Sequence, residues 1–213
     1  MQVYAFVGKT GTGKSYNAQR IAKKYGIKYI IDDAILIRDN KVIAGKSAKT
    51  EASKIASVKA AIFLDESRKK QMADFIKKEK IDKILILGTS DKMVKTIAEN
   101  LGLDEICHTI YIEEVATKEQ IEEARRSRTE EGKHIVPVPT FEIKKQFSGY
   151  FLDSLKIFNF FNKNADDEDE DNYEKTIIRP TYSYLGNFVI SDTVINDIIT
   201  YSVSRVPGVS KVM

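Results

Sequence analysis

The residues best suited to chemistry lie within the first sixteen positions. Gly8-Lys9-Thr10-Gly11-Thr12-Gly13-Lys14-Ser15 satisfies the spacing G-x-x-x-x-G-K-[ST], and at average glycine usage the odds of a chance match in such a chain are roughly one in a hundred. A loop with glycines at 8, 11 and 13 can turn successive backbone N–H groups inward onto phosphate oxygens, because no side chain stands in the way. The helix that follows adds its positive N-terminal end at the same point. Lys14 is expected to reach the β- and γ-phosphates, and the Ser15 hydroxyl to help hold Mg²⁺. Tyr16 completes the stretch of residues 8–16 expected to touch a nucleotide.

Phosphoryl chemistry needs a second acidic group near the end of a neighbouring strand. Asp32 and Asp33 follow the apolar run Lys28 to Ile31, and their placement resembles small P-loop kinases, in which an acidic pair after the second strand serves metal or substrate. The alternative is Asp65 and Glu66, since AIFLDE reads as apolar residues followed by Asp-Glu; Ile62 and Phe63 continue a helical period, so Asp32/Asp33 is preferred for Mg²⁺, with Asp32 also catalytic. Thr89 and Ser90, in GTSD, suit a helix cap or a γ-phosphate contact.

Arg125, Arg126 and Arg128 lie in EEVATKEQIEEARRSR, which resembles the lid-arginine segment of nucleotide and metabolite kinases. That resemblance implies charge neutralisation on the transferring phosphoryl group; surface pairing with Glu122, Glu123, Glu130 and Glu131 is the competing reading. Lys46 and Lys49 offer a further basic patch. Ser47-Ala48-Lys49 resembles a guanine-reading element, but no Asn-Lys-x-Asp accompanies it, so ATP is expected rather than GTP. His108 and His134 are read as structural.

These groups need a scaffold, and the first 115 residues alternate strand and helix patterns, the mark of an α/β fold with a mainly parallel sheet. Val3 to Val7, Lys28 to Ile31, Lys83 to Leu87 and Ile106 to Ile112 read as strands. A first helix ends near Tyr25 with Gly26 behind it. ILIRDNKVI reads as a hairpin outside the parallel sheet, turning at Asp39-Asn40. Ile55, Val58 and Ile62 define a helix over 50–64 whose period runs on to about Lys80. A helix bearing Met93, Val94, Ile97 and Leu101 stops at Gly102, and Thr117 with Gln120 caps another to about Arg128. HIVPVP is extended, because its prolines forbid a helix or a central strand. Residues 150–161, rich in aromatics, are expected to form a helix closing the core.

The 213 residues are 42% hydrophobic and 9% aromatic, enough for a real core. A single cysteine, Cys107, excludes an intrachain disulfide. The chain lacks an apolar run near 18 residues and a secretory leader pattern, so a cytoplasmic protein without a membrane span is expected. Nine of the 31 acidic but only four of the 34 basic residues lie beyond residue 163, so residues 1–163 carry a net +8. A basic body suits an anionic ligand. Nucleic acid is not the expected one, since no stacking motif or recognition-helix signature accompanies the charge. The expected units are a P-loop NTPase domain of three α/β/α layers over 1–163, an acidic linker over 164–175, and a small partial α+β segment over 176–213.

In that segment, Phe188-Val189-Ile190-Ser191, a helix carrying Val194, Ile195, Ile198 and Ile199, and Val206-Pro207-Gly208-Val209 resemble the opening of the alkaline shock protein family of envelope stress proteins. The resemblance covers residues 177–212 and stops short of a complete domain of that family. The whole arrangement resembles uncharacterised proteins of clostridial Gram-positive bacteria, which implies ATP binding and a link to cell-envelope stress. The function expected is a Mg²⁺-dependent ATPase switching a protein partner through its C-terminal segment; a small-molecule or nucleotide kinase and a non-hydrolysing nucleotide-binding scaffold are the alternatives.

Overall fold

A computed structural model describes residues 1–131, 133–138, 151–154, 175–179, 182–183, 186–187 and 198–203. Six strands make the main sheet: β1 (Gln2–Val7), β2 (Tyr29–Asp32), β3 (Ile35–Arg38), β4 (Lys41–Gly45), β5 (Lys83–Gly88) and β6 (Ile106–Tyr111). Their order is β4-β3-β2-β5-β1-β6. β2, β5, β1 and β6 run parallel, while β3 and β4 add antiparallel at one edge. The protein is thus a mixed α/β fold with a mostly parallel sheet.

The parallel strands read as continuous apolar runs because both faces are covered. Val3, Ala5, Val7, Ile31, Ile84 and Ile86 face one core, filled by side chains of α2 (Lys54–Ala61), α3 (Glu66–Lys78) and α4 (Asp91–Leu101). Phe6, Ile30, Leu85, Leu87 and Ile110 alternate to the other face, where α1 (Lys14–Lys24) contributes Ala18 and Ile21 and α5 (Lys118–Glu131) contributes Ile121. Each fully buried Val, Ile, Leu or Phe among them contributes roughly 1.5–3 kcal/mol.

Local chemistry sets the helix ends as expected. Tyr25 closes α1, with Gly26 at φ 64. Ser90 caps α4 by accepting from Met93 N, and Gly102 at φ 62 stops it. Thr117 Oγ1 accepts from Gln120 N at 3.3 Å while Gln120 Oε1 accepts from Thr117 N at 2.9 Å.

Four expectations are corrected. The hairpin turns at Asp39 and Asn40, both at positive φ as a type I′ turn requires, but it extends the main sheet instead of standing outside it. It is joined to β2 by a second two-residue turn, Asp33-Ala34, at φ 46 and 66. The helix expected over 50–64 and onward is two helices: Phe63 at φ 55 breaks the period, Asp65 caps α3 by accepting from Arg68 N, and Ile55 and Val58 are exposed. Phe151–Ser154 forms a strand, β8, rather than a helix; residues 155–161 lie outside the described residues.

Lastly, Thr176–Arg179 (β9) does not open a separate unit. It is the middle strand of a three-stranded antiparallel sheet between β7 (His134–Val136) and β8, and Ile178 is buried in the α1-side core. β7 takes an edge and ends just before Pro137, which has no N–H to give a ladder. A two-stranded pairing of β10 (Tyr182–Ser183) with β11 (Gly186–Asn187) and a helical stretch over 198–203 follow. Ile198 and Ile199, expected on a buried face, are exposed. The linker residues 164–174 and the features at 188–191, 194–195 and 206–209 lie outside the described residues. No helix among those described is long and apolar enough to cross a membrane.

Candidate functional site

The loop after β1 leads into α1 on one face of the sheet, and the chain after β5 leads into α4 on the other. The switch of direction between β1 and β5 thus falls at their carboxyl ends, the place where open α/β sheets bind ligands, and residues 8–15 stand there. Gly11 at φ 77 and Gly13 at φ 90 need their missing side chains, and Gly13 is the N-cap of α1 with no side-chain cap. Gly8 is needed for a different reason, since a Cβ there would lie 2.5 Å from Ile112 Cγ2. Buried Ile112 thus braces the loop from the turn after β6. Thr12, also buried, donates to Lys9 O at 2.7 Å.

Lys14 lies across this loop, its Nζ donating to Gly8 O at 2.6 Å and Lys9 O at 3.0 Å. Burial pushes its pKa down to about 8, against the pull of Asp32 and Asp33. The Ser15 hydroxyl stands near Asp32 and works against the rise in its pKa. Asp32 is buried, and its Oδ2 has no hydrogen-bond partner among the described residues. Burial holds this carboxyl above its ordinary pKa despite Lys49 nearby.

Asp33 behaves differently. Its Oδ2 pairs with Lys49 Nζ, and although burial works the other way, the charge and hydrogen bond of Lys49 hold its pKa below the ordinary value. Lys49 in turn is buried and, against the cost of burial, is held above its ordinary pKa by Asp33 and Asp32. It stands on a single 3₁₀ turn, Ala48–Thr50, where Ser47 Oγ accepts from Lys49 N and Ala48 N donates to Asp33 O at 2.8 Å. Asp33, expected as a metal ligand, is therefore the counterion of a lysine.

The three arginines of α5 separate. Ile121, Ala124 and Arg128 follow one helical stripe: Ile121 is in the core, Ala124 Cβ lies 3.8 Å from where a Gly13 Cβ would stand, and the Arg128 stem lies over Gly11, its Cδ 2.9 Å from where a Cβ would stand there. Arg126 turns away to pair with Glu123 at 2.8 Å, and Arg125 is exposed. Of the three arginines, only Arg128 thus lies over the glycine loop.

His134 enters the site unexpectedly. It is buried on β7 with Nδ1 unpartnered among the described residues, and burial, together with Arg128 and Lys49, pushes its pKa down to about 3. Its imidazole is neutral at pH 7. Neither pattern nor spacing announces this role; the i, i+3, i+7 stripe of α5 was the available signal for Arg128.

The remaining candidates lie apart. Lys175 Nζ sits 3.8 Å from the Tyr16 ring centroid, a cation–π contact at the start of α1. Thr89 Oγ1 contacts Met93 Sδ and Ser90 is a cap. Asp65 is the α3 cap and Glu66 pairs with Lys69 at 3.2 Å, so AIFLDE is not a strand ending in a metal site. His108 packs between Tyr4 and Tyr25. A hollow of about 180 Å³ lined by Met1, Ile76, Lys80 and Leu103 lies at the opposite, amino end of the strands and holds none of these groups.

A Mg²⁺ ion fits the donors present. Among the described residues no cage of three His, Cys, Asp or Glu exists, but Mg²⁺ is ordinarily held by one or two protein oxygens together with phosphates and waters. Ser15 Oγ and the partnerless Asp32 Oδ2 are such oxygens. No protein-family model, curated protein or solved structure matches the chain.

Proposed function

We propose that the chain is a P-loop protein that binds ATP with Mg²⁺ and hydrolyses it, using nucleotide state to alter a partner contact. The observation that carries this reading is the loop itself: Gly11 and Gly13 at positive φ lead into a start of α1 with no side-chain cap, and the Lys14 ammonium lies across the loop on the carbonyls of Gly8 and Lys9. Asp32, at the end of a strand two places away in the sheet, stands near Ser15 and Lys14. The parallel-strand order β2-β5-β1-β6 supports the fold assignment, because it puts a strand, a glycine loop and a helix in the arrangement such proteins use. Charge supports the ligand: Lys14, Lys49 and Arg128 repel one another, Asp33 answers one of them, and Asp32 resists ionisation. A polyphosphate relieves that repulsion.

Each residue then has a task. The first N–H groups of α1 and the loop amides bind phosphate oxygens. Lys14 exchanges the carbonyls of Gly8 and Lys9 for β- and γ-oxygens, and Arg128 neutralises charge that develops on the terminal group. Ser15 and Asp32 would hold Mg²⁺, which supplies charge neutralisation between phosphates. ATP is preferred to GTP because Ser47 and Ala48 are buried and Ala48 is bonded to the Asp33 carbonyl, so that element is not presented to a base.

Transfer to a small-molecule acceptor is the second reading, favoured by Asp33, Lys49 and His134 gathered beside the loop. The C-terminal segment remains the proposed partner contact, with the link to envelope stress resting on resemblance alone. Isothermal titration with Mg·ATP tests the binding claim: wild type gives heat and Lys14→Ala does not. Equal affinity of the two proteins refutes it. Phosphate release without an acceptor supports hydrolysis, release only with an added acceptor supports the kinase reading, and neither leaves a binding scaffold.

A further inference from the structure

The pairing of Lys49 with Asp33 has no place in a plain phosphate loop. A buried ion pair loses solvation on both partners and is weak evidence for stability; its presence here calls for a use. Lys49 is presented by a turn that is itself clamped. Ala48 N is bonded to Asp33 O, Ser47 caps the turn, and Gly45 passes so close to the Ala34 carbonyl that a Cβ would lie 2.2 Å from its oxygen. The Lys49 side chain is 7% exposed and that of Asp33 31%, so the pair meets its surroundings on the carboxylate side.

Position decides what Lys49 can reach. β2 lies two places from β1, with β5 between them. At roughly 4.8 Å per strand, the backbone of β2 ends about 10 Å along the sheet from that of β1, and the side chains at its end reach back toward the loop, where Lys49 and Lys14 feel each other's charge. A polyphosphate held by residues 8–15 and directed toward β2 would bring its outer end to Lys49. The ammonium of Lys49 has three N–H donors, and Asp33 Oδ2 takes one.

We propose that Lys49, positioned by Asp33, is a ligand for the terminal phosphate of a nucleoside triphosphate, and that Asp32 alone of the acidic pair serves the metal. The inference rests on the nucleotide reading above and deepens it, since it makes the site selective for the triphosphate over the diphosphate. Asp33 keeps the ammonium charged and aimed.

The test is titration of full-length protein with ATP and with ADP, each with Mg²⁺ and in EDTA, for wild type, Lys49→Met, Lys49→Arg, Asp33→Asn, Asp32→Asn and Lys14→Ala. Lys49→Met should weaken ATP at least tenfold and ADP less than twofold, and Lys49→Arg should restore most of the difference. Asp33→Asn should follow Lys49→Met while keeping the gain that Mg²⁺ gives, whereas Asp32→Asn should lose that gain. Unchanged ATP affinity in Lys49→Met, equal losses for ATP and ADP, or loss of the Mg²⁺ gain in Asp33→Asn overturns the proposal. If Lys49→Met alone fails to fold, the Lys49→Met/Asp33→Asn double variant removes the stranded carboxylate and is read by the same ATP-to-ADP ratio. Lys14→Ala separates the two ideas: ATP binding that survives it refutes the phosphate loop itself, while loss there with indifference at Lys49 refutes only the role of Lys49.

Discussion

ATP affinity should depend on pH through a single lysine. Burial lowers the pKa of Lys14 to about 8 from 10.5, and only the charged form answers a phosphate. On that value about nine-tenths of the free protein carries a charged Lys14 at pH 7, about half at pH 8 and about a tenth at pH 9. Affinity should therefore fall about twofold by pH 8 and about tenfold by pH 9, then a further decade per unit, about 1.4 kcal/mol each. Stability runs the other way. The ligand-free fold binds fewer protons than the unfolded chain between pH 8 and 10.5, so a penalty of about 3 kcal/mol, fully present below pH 8, is relieved as pH rises through that window. Loss of affinity at pH 9 is then not loss of fold. Titration calorimetry across pH 7 to 9.5, in buffers of different ionisation enthalpy, should show proton uptake on binding centred above pH 8. Lys14→Arg keeps its charge and should give a flat profile whatever its affinity. A flat wild-type profile, or a decline that persists in Lys14→Arg, refutes the argument.

Two further outcomes test the scaffold. Gly45→Ala should destabilise the protein by about 3 kcal/mol or more in urea unfolding, because the new Cβ meets the Ala34 carbonyl at 2.2 Å on a backbone at φ 86; a change below about 1 kcal/mol would mean that the Asp33-Ala34 turn is not clamped. Asp65→Ala should cost about 1 kcal/mol, the value of a helix N-cap, with nucleotide turnover unchanged; loss of turnover at wild-type stability would return the metal site to that residue.

Local chemistry was readable along the chain. The left-handed glycines Gly11 and Gly13, the stop at Gly26, the Ser90 cap, the Gly102 stop and the Thr117–Gln120 box each depend on dihedral freedom or a hydrogen bond within four residues. Neighbouring residue types therefore suffice to determine them. Pattern misled where burial depends on remote partners: Ile55 and Val58 keep helical spacing but find no core to face, and Phe151–Ser154, within a run that suggests a helix, pairs as a strand with β9. The Asp33-Ala34 turn lacks the glycine or asparagine that announces such turns, and is held by Gly45 and Ala48 from further along the chain. The candidate site divides in the same way. Lys14, Ser15 and Asp32 followed from motif and strand-end placement. That Asp33 answers Lys49 and that His134 is buried and neutral were decided by tertiary structure alone, whereas the stripe Ile121, Ala124, Arg128 on α5 was a signal in the chain for Arg128 over Arg125 and Arg126. Charge and pKa depend on which distant groups come to share a space without water, and no spacing along the chain encodes that.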